Sequence, residues 1–173
     1  MSNRIPQVIL GGVPLDAHCG PVRQNYLPFG GSTILTMADG TGFKQSHWRK
    51  TRITSSGIGY QEPAVEHLDF SRPLELWCVK PLTMSGTALQ YELPPAAKRR
   101  PDEAPWAIAL VGEQWVDASL VMAGDLAQLT VVPGATRYRV SWLPRFLVYT
   151  DGVVSDFDEA TGRYDWSFEA RER

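Results

Sequence analysis

Residues 153–172, VVSDFDEATGRYDWSFEARE, decide the class of fold. The stretch opens like a calcium loop, with Asp156 and Asp158 two apart and further carboxylates downstream. A loop of the EF-hand kind needs oxygen ligands at alternate places, a glycine at the sixth and a bidentate glutamate at the twelfth. Counted from Asp156, those places hold Thr161 and Ser167, so the register fails. The same residues read well as a hairpin. Tyr164, Trp166 and Phe168 alternate with Arg163, Asp165, Ser167 and Glu169, the period of two that marks a strand with one buried face. Ala160-Thr161-Gly162 supplies its turn, with Gly162 able to take φ > 0. The expectation is a solvated turn holding Asp156 and Asp158, followed by a strand whose three aromatic side chains face the core or a neighbouring subunit.

Upstream the texture is the same: short strand-like runs between turn residues, with almost nothing that reads as a long helix. The class expected is all-β, an antiparallel sandwich or barrel. QVILGGVPL (7–15) places Gly11-Gly12 between two apolar pieces, as in a two-residue hairpin turn. STILTM (32–37) lies between Gly30-Gly31 and Asp39-Gly40, which reads as a strand between turns. HWRKTRITSSGIGY (47–60) alternates Trp48, Lys50, Arg52 and Thr54 with His47, Arg49, Thr51 and Ile53. Such a polar strand suits an edge that is exposed or covered by a partner. PLELWCVKPL (73–82) sets Leu74, Leu76 and Cys78 against Glu75 and Trp77, fenced by Pro73 and Pro81.

ELPPAAKRRPDEAPW (92–106) holds four prolines and the basic triplet Lys98-Arg99-Arg100, and can be neither helix nor central strand. A long surface loop with solvated charges is expected there, open to proteases over residues 94–105. A dense series of strand runs follows, and EQWVDASLVMAGDLAQL (113–129), which has some helical spacing, reads better as strands than as a helix.

The 173 residues suit one domain, or one domain carrying an insertion. A hydrophobic content of 43%, 21% charged residues and a formal charge of -2 describe a soluble globular chain without an electrostatic footprint for nucleic acid or an acidic membrane surface. No run approaches the roughly 18 apolar residues of a membrane span, and MSNRIPQVIL is too short in its apolar part for a signal peptide. Folding in a cytoplasm is the simplest expectation. Cys19 and Cys78 sit outside any C-x-x-C pattern; buried free thiols are expected, and a single bridge is geometrically open to them.

Patterns that carry chemistry are few. His18, His47 and His67 have no metal-ligand spacing, and no G-x-S-x-G elbow is present. His18 abuts Cys19, but neighbours on a strand point to opposite faces, which argues against a nucleophile pair. The glycine pairs follow no phosphate-binding pattern. Neither catalysis nor a cofactor or metal is expected.

Two landmarks remain: SGIGYQEPAVEHLDFSRPLELWC (56–78) and LPRFLVYTDGVVSDFDEATGRYDWSFEARE (143–172). They resemble structural proteins of long-tailed bacteriophages, in particular tail-tip or baseplate proteins of the distal-tail type. The first landmark carries an L-D-x-S-x-P-L-E-L-x-C pattern in Leu68, Asp69, Ser71, Pro73, Leu74, Glu75, Leu76 and Cys78. The second carries Leu143-Pro144, then Thr161-Gly162 and Trp166-Ser167-Phe168-Glu169. The resemblance covers about half of the chain and includes no catalytic signature.

It implies a core related to the tail-tube sandwich over 1–82 and 143–173, with 83–142 as an inserted β subdomain or long excursion. It further implies a ring, of six subunits in such proteins, that joins the tail tube to the baseplate hub and receptor-binding apparatus. The partners implied are further copies of the chain, the tail tube protein and the hub proteins. No sequence-specific nucleic-acid binding and no membrane are implied, and the place is the virion tail, assembled in the host cytoplasm. The structural and interface candidates are Tyr164, Trp166, Phe168, Leu74, Leu76 and Trp48. The chain departs from the pattern in offering no helix beside the sandwich. A competing reading is a fibronectin-like or carbohydrate-binding sandwich, with Trp48, Trp77, Trp106 and Trp115 as platform candidates.

Overall fold

The computed structural model describes residues 6–15 and 17–173, so the first five residues of MSNRIPQVIL and Asp16 lie outside it. The described chain is all-β. Its strands are Ile9–Leu10 (β1), Val13–Pro14 (β2), Arg23–Thr36 (β3), Gly42–Gly59 (β4), Leu74–Trp77 (β5), Leu82–Gly86 (β6), Gln90–Glu92 (β7), Trp106–Val111 (β8), Gln114–Ala118 (β9), Leu120–Ala123 (β10), Leu126–Leu129 (β11), Ala135–Trp142 (β12), Arg145–Thr150 (β13), Val154–Asp158 (β14) and Arg163–Glu172 (β15). Helical structure among the described residues is confined to the short 3-10 turns Ala17–Cys19 and Ala96–Lys98. The chain divides into two compact units. One joins Ile9–Leu76 to Leu147–Arg173; the other joins the segment ending at Val8 to Trp77–Phe146.

The first unit is built on one eight-stranded antiparallel sheet in the order β2-β1-β5-β13-β15-β4-β3, with β14 branching from β15. Its organising strand is β15. Trp166, Phe168 and Ala170 are buried at alternate positions, as the period of two in the sequence requires. Opposite them in β4 stand Gly57, Ser55 and Ile53. A Cβ at Gly57 would lie 2.7 Å from Trp166 Cζ2, so the indole needs the glycine for its place. The apolar face of β4 looks poor in sequence because the partner strand brings the bulk. The indole Nε1 donates a 2.7 Å hydrogen bond to the Cys19 carbonyl, which satisfies the one polar atom of a fully buried side chain. At the start of the unit, β1 and β2 form a hairpin through Gly11 and Gly12, both at positive φ (57° and 86°), as a two-residue turn of this kind demands.

The second unit is a sandwich of a four-stranded sheet, β6-β12-β8-β9, and a three-stranded sheet, β10-β11-β7. Both sheets contribute to one buried cluster that includes Ala107, Ala109, Ala127, Leu129, Tyr138, Val140 and Trp142. In the register of β8 and β12, Ala109 faces Tyr138 and Ala107 faces Val140, so small residues alternate with large ones across the pair. The Tyr138 hydroxyl accepts the backbone N–H of Val132, tying the bend before β12 to the core.

Several expectations are corrected by this architecture. The sheets do not close into a barrel. The run 113–129 forms strands β9, β10 and β11, as expected. Gly30-Gly31 is no turn; it lies inside β3 beside a register shift between Gly31 and Ser32, and the hairpin turn is at 37–41. His18 and Cys19 lie in a 3-10 turn and not on a strand. Within 47–54 only the first part has an open edge, because from Arg52 onward β4 pairs with β15 as well as β3. As expected, Cys19 and Cys78 are both buried and form no disulfide.

The proline-rich segment is the largest correction. Arg99 and Arg100 are buried, at 8% and 4% exposure, where solvated charge was expected. Arg100 sends Nε and Nη2 to the two oxygens of Asp102 at 2.9 and 2.7 Å, and Nη1 to the carbonyls of Gln7 and Cys78. Its guanidinium also lies over the Trp77 ring, 5.5 Å from the centroid. Arg99 pairs with Asp125, and its backbone bridges to Pro144. These contacts draw Trp77, Cys78 and Pro144 into the second unit, which runs from Trp77 to Phe146 where the sequence placed a boundary at 83–142. Rigid planar guanidinium groups with several donors can satisfy backbone carbonyls in a loop that has no strand partner, which a bare charge pattern does not reveal.

Candidate functional site

The six residues singled out from sequence separate into a core set and a surface set. Trp166, Phe168 and Leu76 are buried in the first unit, and Tyr164 and Leu74 are half-buried there. Trp166 and Phe168 stack with ring centroids 6.3 Å apart, and Tyr164 packs against Phe157 of β14 at 4.8 Å. Trp48 is different: it is 47% exposed, its Nε1 would lie 2.7 Å from a Cβ at Gly31, and Phe29 meets it edge-on at 5.1 Å.

Trp48 belongs to an exposed arm whose extent the sequence did not disclose. Strands β3 and β4 pair from Arg23–Ser56 to Thr36–Gly42, but β15 covers β4 only from Arg52 onward. The remainder is a two-stranded arm. Every residue from 32 to 49 is exposed. Among them Ile34, Leu35, Met37 and Phe43 are 50–70% exposed. By register Leu35 faces Phe43 on one side of the arm, while Ile34 and Lys44 lie on the other, so apolar side chains occupy both faces. A two-stranded hairpin is marginally stable in water by itself. An arm that is apolar on both faces, with both outer edges unpaired among the described residues, is a surface suited to a covering partner. Its sequence signal is weak, because the few apolar residues there, Ile34, Leu35, Met37, Phe43 and Trp48, follow no period that separates an arm from an ordinary hairpin.

A second surface lies on the outer face of the four-stranded sheet. In the register of β8, β9 and β12, Trp106, Ile108 and Leu110 lie on the side opposite the buried Ala107 and Ala109, together with Trp115, Asp117 and Arg139. Trp106 and Trp115 are 41% and 39% exposed, and the Arg139 guanidinium sits 4.6 Å from the Trp115 ring centroid. Of the other platform candidates, Trp77 lies beneath Arg100 and Trp48 is on the arm.

Asp156 lies within strand β14, where a solvated turn was expected, and Asp158 ends that strand at the turn. Asp158 accepts the Thr161 hydroxyl at 2.7 Å and the Ala160 N–H at 2.9 Å, and these bonds hold its carboxyl below the usual range. Asp69, in the L-D-x-S pattern, accepts the Ser71 hydroxyl and N–H in the same way and pairs with Arg72, which likewise lowers its pKa. Among the described residues no three of His, Cys, Asp and Glu come together as a metal site. His18 acts through its backbone, its carbonyl accepting the N–H groups of Tyr60 and Gln61. The described residues present two exposed surfaces, the arm and the outer face of the four-stranded sheet. No protein-family model, curated protein or solved structure matches the chain.

Proposed function

We propose that the chain is a structural subunit of a bacteriophage tail, forming a ring at the tail tip that joins the tail tube to the baseplate hub and receptor-binding apparatus. The observation that carries this reading is the exposed arm of β3 and β4, which has apolar residues on both faces and no covering element among the described residues. A subunit whose strand edges are completed by its neighbours needs such an element. The landmark motifs support the same reading: Asp69 and Ser71 build a turn, and Leu74 and Leu76 lead from it into strand β5 of the first unit. Gold-labelled antibody against the chain, applied to tailed particles from a lysate of cells carrying its gene, tests the reading. Label at the tail tip supports it; unlabelled tails overturn it.

A carbohydrate-binding sandwich is the second reading, favoured by the exposed Trp106 and Trp115 on one outer face beside Asp117 and Arg139. Aromatic faces with polar groups at their rim suit sugar rings. A glycan array discriminates: signal lost in Trp115→Ala assigns this face to sugars, and an empty array removes the reading.

A further inference from the structure

Resting on the reading of the chain as a ring subunit, we propose that the β3–β4 arm of one copy docks on the β14–β15 hairpin of the next, with Lys44 and Arg49 against Asp156, Glu159 and Asp165.

The two surfaces are complementary in charge and alike in apolar content. The arm carries Lys44, Arg49 and Lys50 against Asp39 alone. Asp39 is occupied with the Thr41 N–H at the turn, and Lys50 donates to the Arg173 carbonyl, which leaves Lys44 and Arg49 as the outward cations. The hairpin carries Asp156, Asp158, Glu159 and Asp165 against Arg163. Asp156 stands directly opposite Asp165 in the β14–β15 register, both exposed. Like charges in that position are unfavourable for the isolated sheet and become favourable when a cation is laid between them. On the face that carries Asp156 and Asp165, Val154 and Ile58 of the adjacent strand, 67% and 54% exposed, give the hairpin an apolar surface to match Ile34, which shares its side of the arm with Lys44. Among the described residues β14 pairs with β15 alone, so its outer edge is open to an added strand.

Geometry assigns the contact to a second copy. Both surfaces belong to one sheet and lie at opposite ends of it. The arm begins at the Gly42 end of β4, whereas Tyr164, next to the acidic turn, pairs with Gly59 at the other end. At about 3.3 Å per residue, the length of β4 separates them by on the order of 50 Å. An arm cannot fold back over that distance onto the end of its own sheet. The contact is therefore heterologous, the kind that closes into a ring when the rotation between copies permits.

Charge reversal in trans tests this. Two variants are made: Lys44→Glu with Arg49→Glu, and Asp156→Lys with Glu159→Lys. Circular dichroism checks that each is folded, and light scattering at about 50 mM salt, where surface charges are weakly screened, gives its mass. Each variant alone is expected to self-associate at least about tenfold more weakly than wild type, and an equimolar mixture to recover assembly, because every arm then meets a hairpin of opposite sign. Wild-type assembly with both variants assembling equally well overturns the docking and leaves the ring reading standing. A wild-type chain that stays monomeric even with tail tube or hub protein added overturns both. Duplex DNA retained by wild type and released by the arm variant, with assembly unchanged, overturns the docking and assigns the arm to nucleic acid.

Discussion

Replacing Trp166 by alanine tests the reading of the closing hairpin as the organising element of the first unit. Its indole is fully buried, stacks on Phe168 and donates to the Cys19 carbonyl at 2.7 Å. Truncating a buried Trp or Phe typically costs about 3–5 kcal/mol through lost transfer energy and the cavity left behind. The lost hydrogen bond adds about 1 kcal/mol. The sum, about 4–6 kcal/mol, is a large share of the roughly 5–15 kcal/mol that holds a domain folded. For a chain of this size it lowers the melting temperature by about 10–20 °C. Urea titrations followed by far-ultraviolet circular dichroism measure the cost. Gly57→Ala supplies a control, since its Cβ would press into the same indole and cost about 1–3 kcal/mol. Combined with Trp166→Ala it should cost less than the sum, because the cavity accepts the added methyl. A Trp166→Ala protein within about 1 kcal/mol of wild type, or strict additivity with Gly57→Ala, would refute the packing argument.

Asp156→Asn with Asp158→Asn should leave the melting temperature equally unresponsive to calcium and to chelator; a calcium response in wild type that the variant loses would make these residues ligands. Arg100→Leu should destabilise the second unit by about 2–4 kcal/mol, since it strips donors from two backbone carbonyls and leaves Asp102 without its partner, and a neutral result by urea titration would contradict the buried network. Arg100 lowers the pKa of Asp102, so the stability this pair supplies is present above the ordinary carboxylate pKa and is lost as pH falls through the depressed one. Wild type should therefore converge in stability with Asp102→Asn on acidification below about pH 4; a gap that widens there would reverse the sign of the argument. Trypsin should cut the native chain after Arg99 far more slowly than the unfolded chain, because that residue is buried and its backbone bridges to Pro144; rapid native cleavage seen by mass spectrometry would restore the open loop.

The fold class was legible wherever one strand carried its own alternation. The period of two at Tyr164, Trp166 and Phe168 and the glycine pair at 11 and 12 specify local geometry without help from distant residues. Strand β4 was harder, because its buried face of Ile53, Ser55, Gly57 and Gly59 makes sense only beside Trp166, more than a hundred residues later in the chain. Arg99 and Arg100 were misread for the same reason: the carbonyls of Gln7 and Cys78 and the carboxylate of Asp125 reach them from outside the segment. Length of pairing was the other hidden quantity. Nothing in STILTM or HWRKTR says where β15 stops covering β4, and that end point is what turns an ordinary pair of strands into an exposed arm.

Assembly of the wild-type chain is the most direct test of the structural-subunit reading. Native mass spectrometry and negative-stain class averages of the purified protein, alone and with tail tube and hub proteins, measure it in one series. The account predicts a closed ring with a central lumen and a mass six times the chain's 19.3 kDa. A particle that stays at 19.3 kDa under all of these conditions, with no ring in the averages, would contradict it.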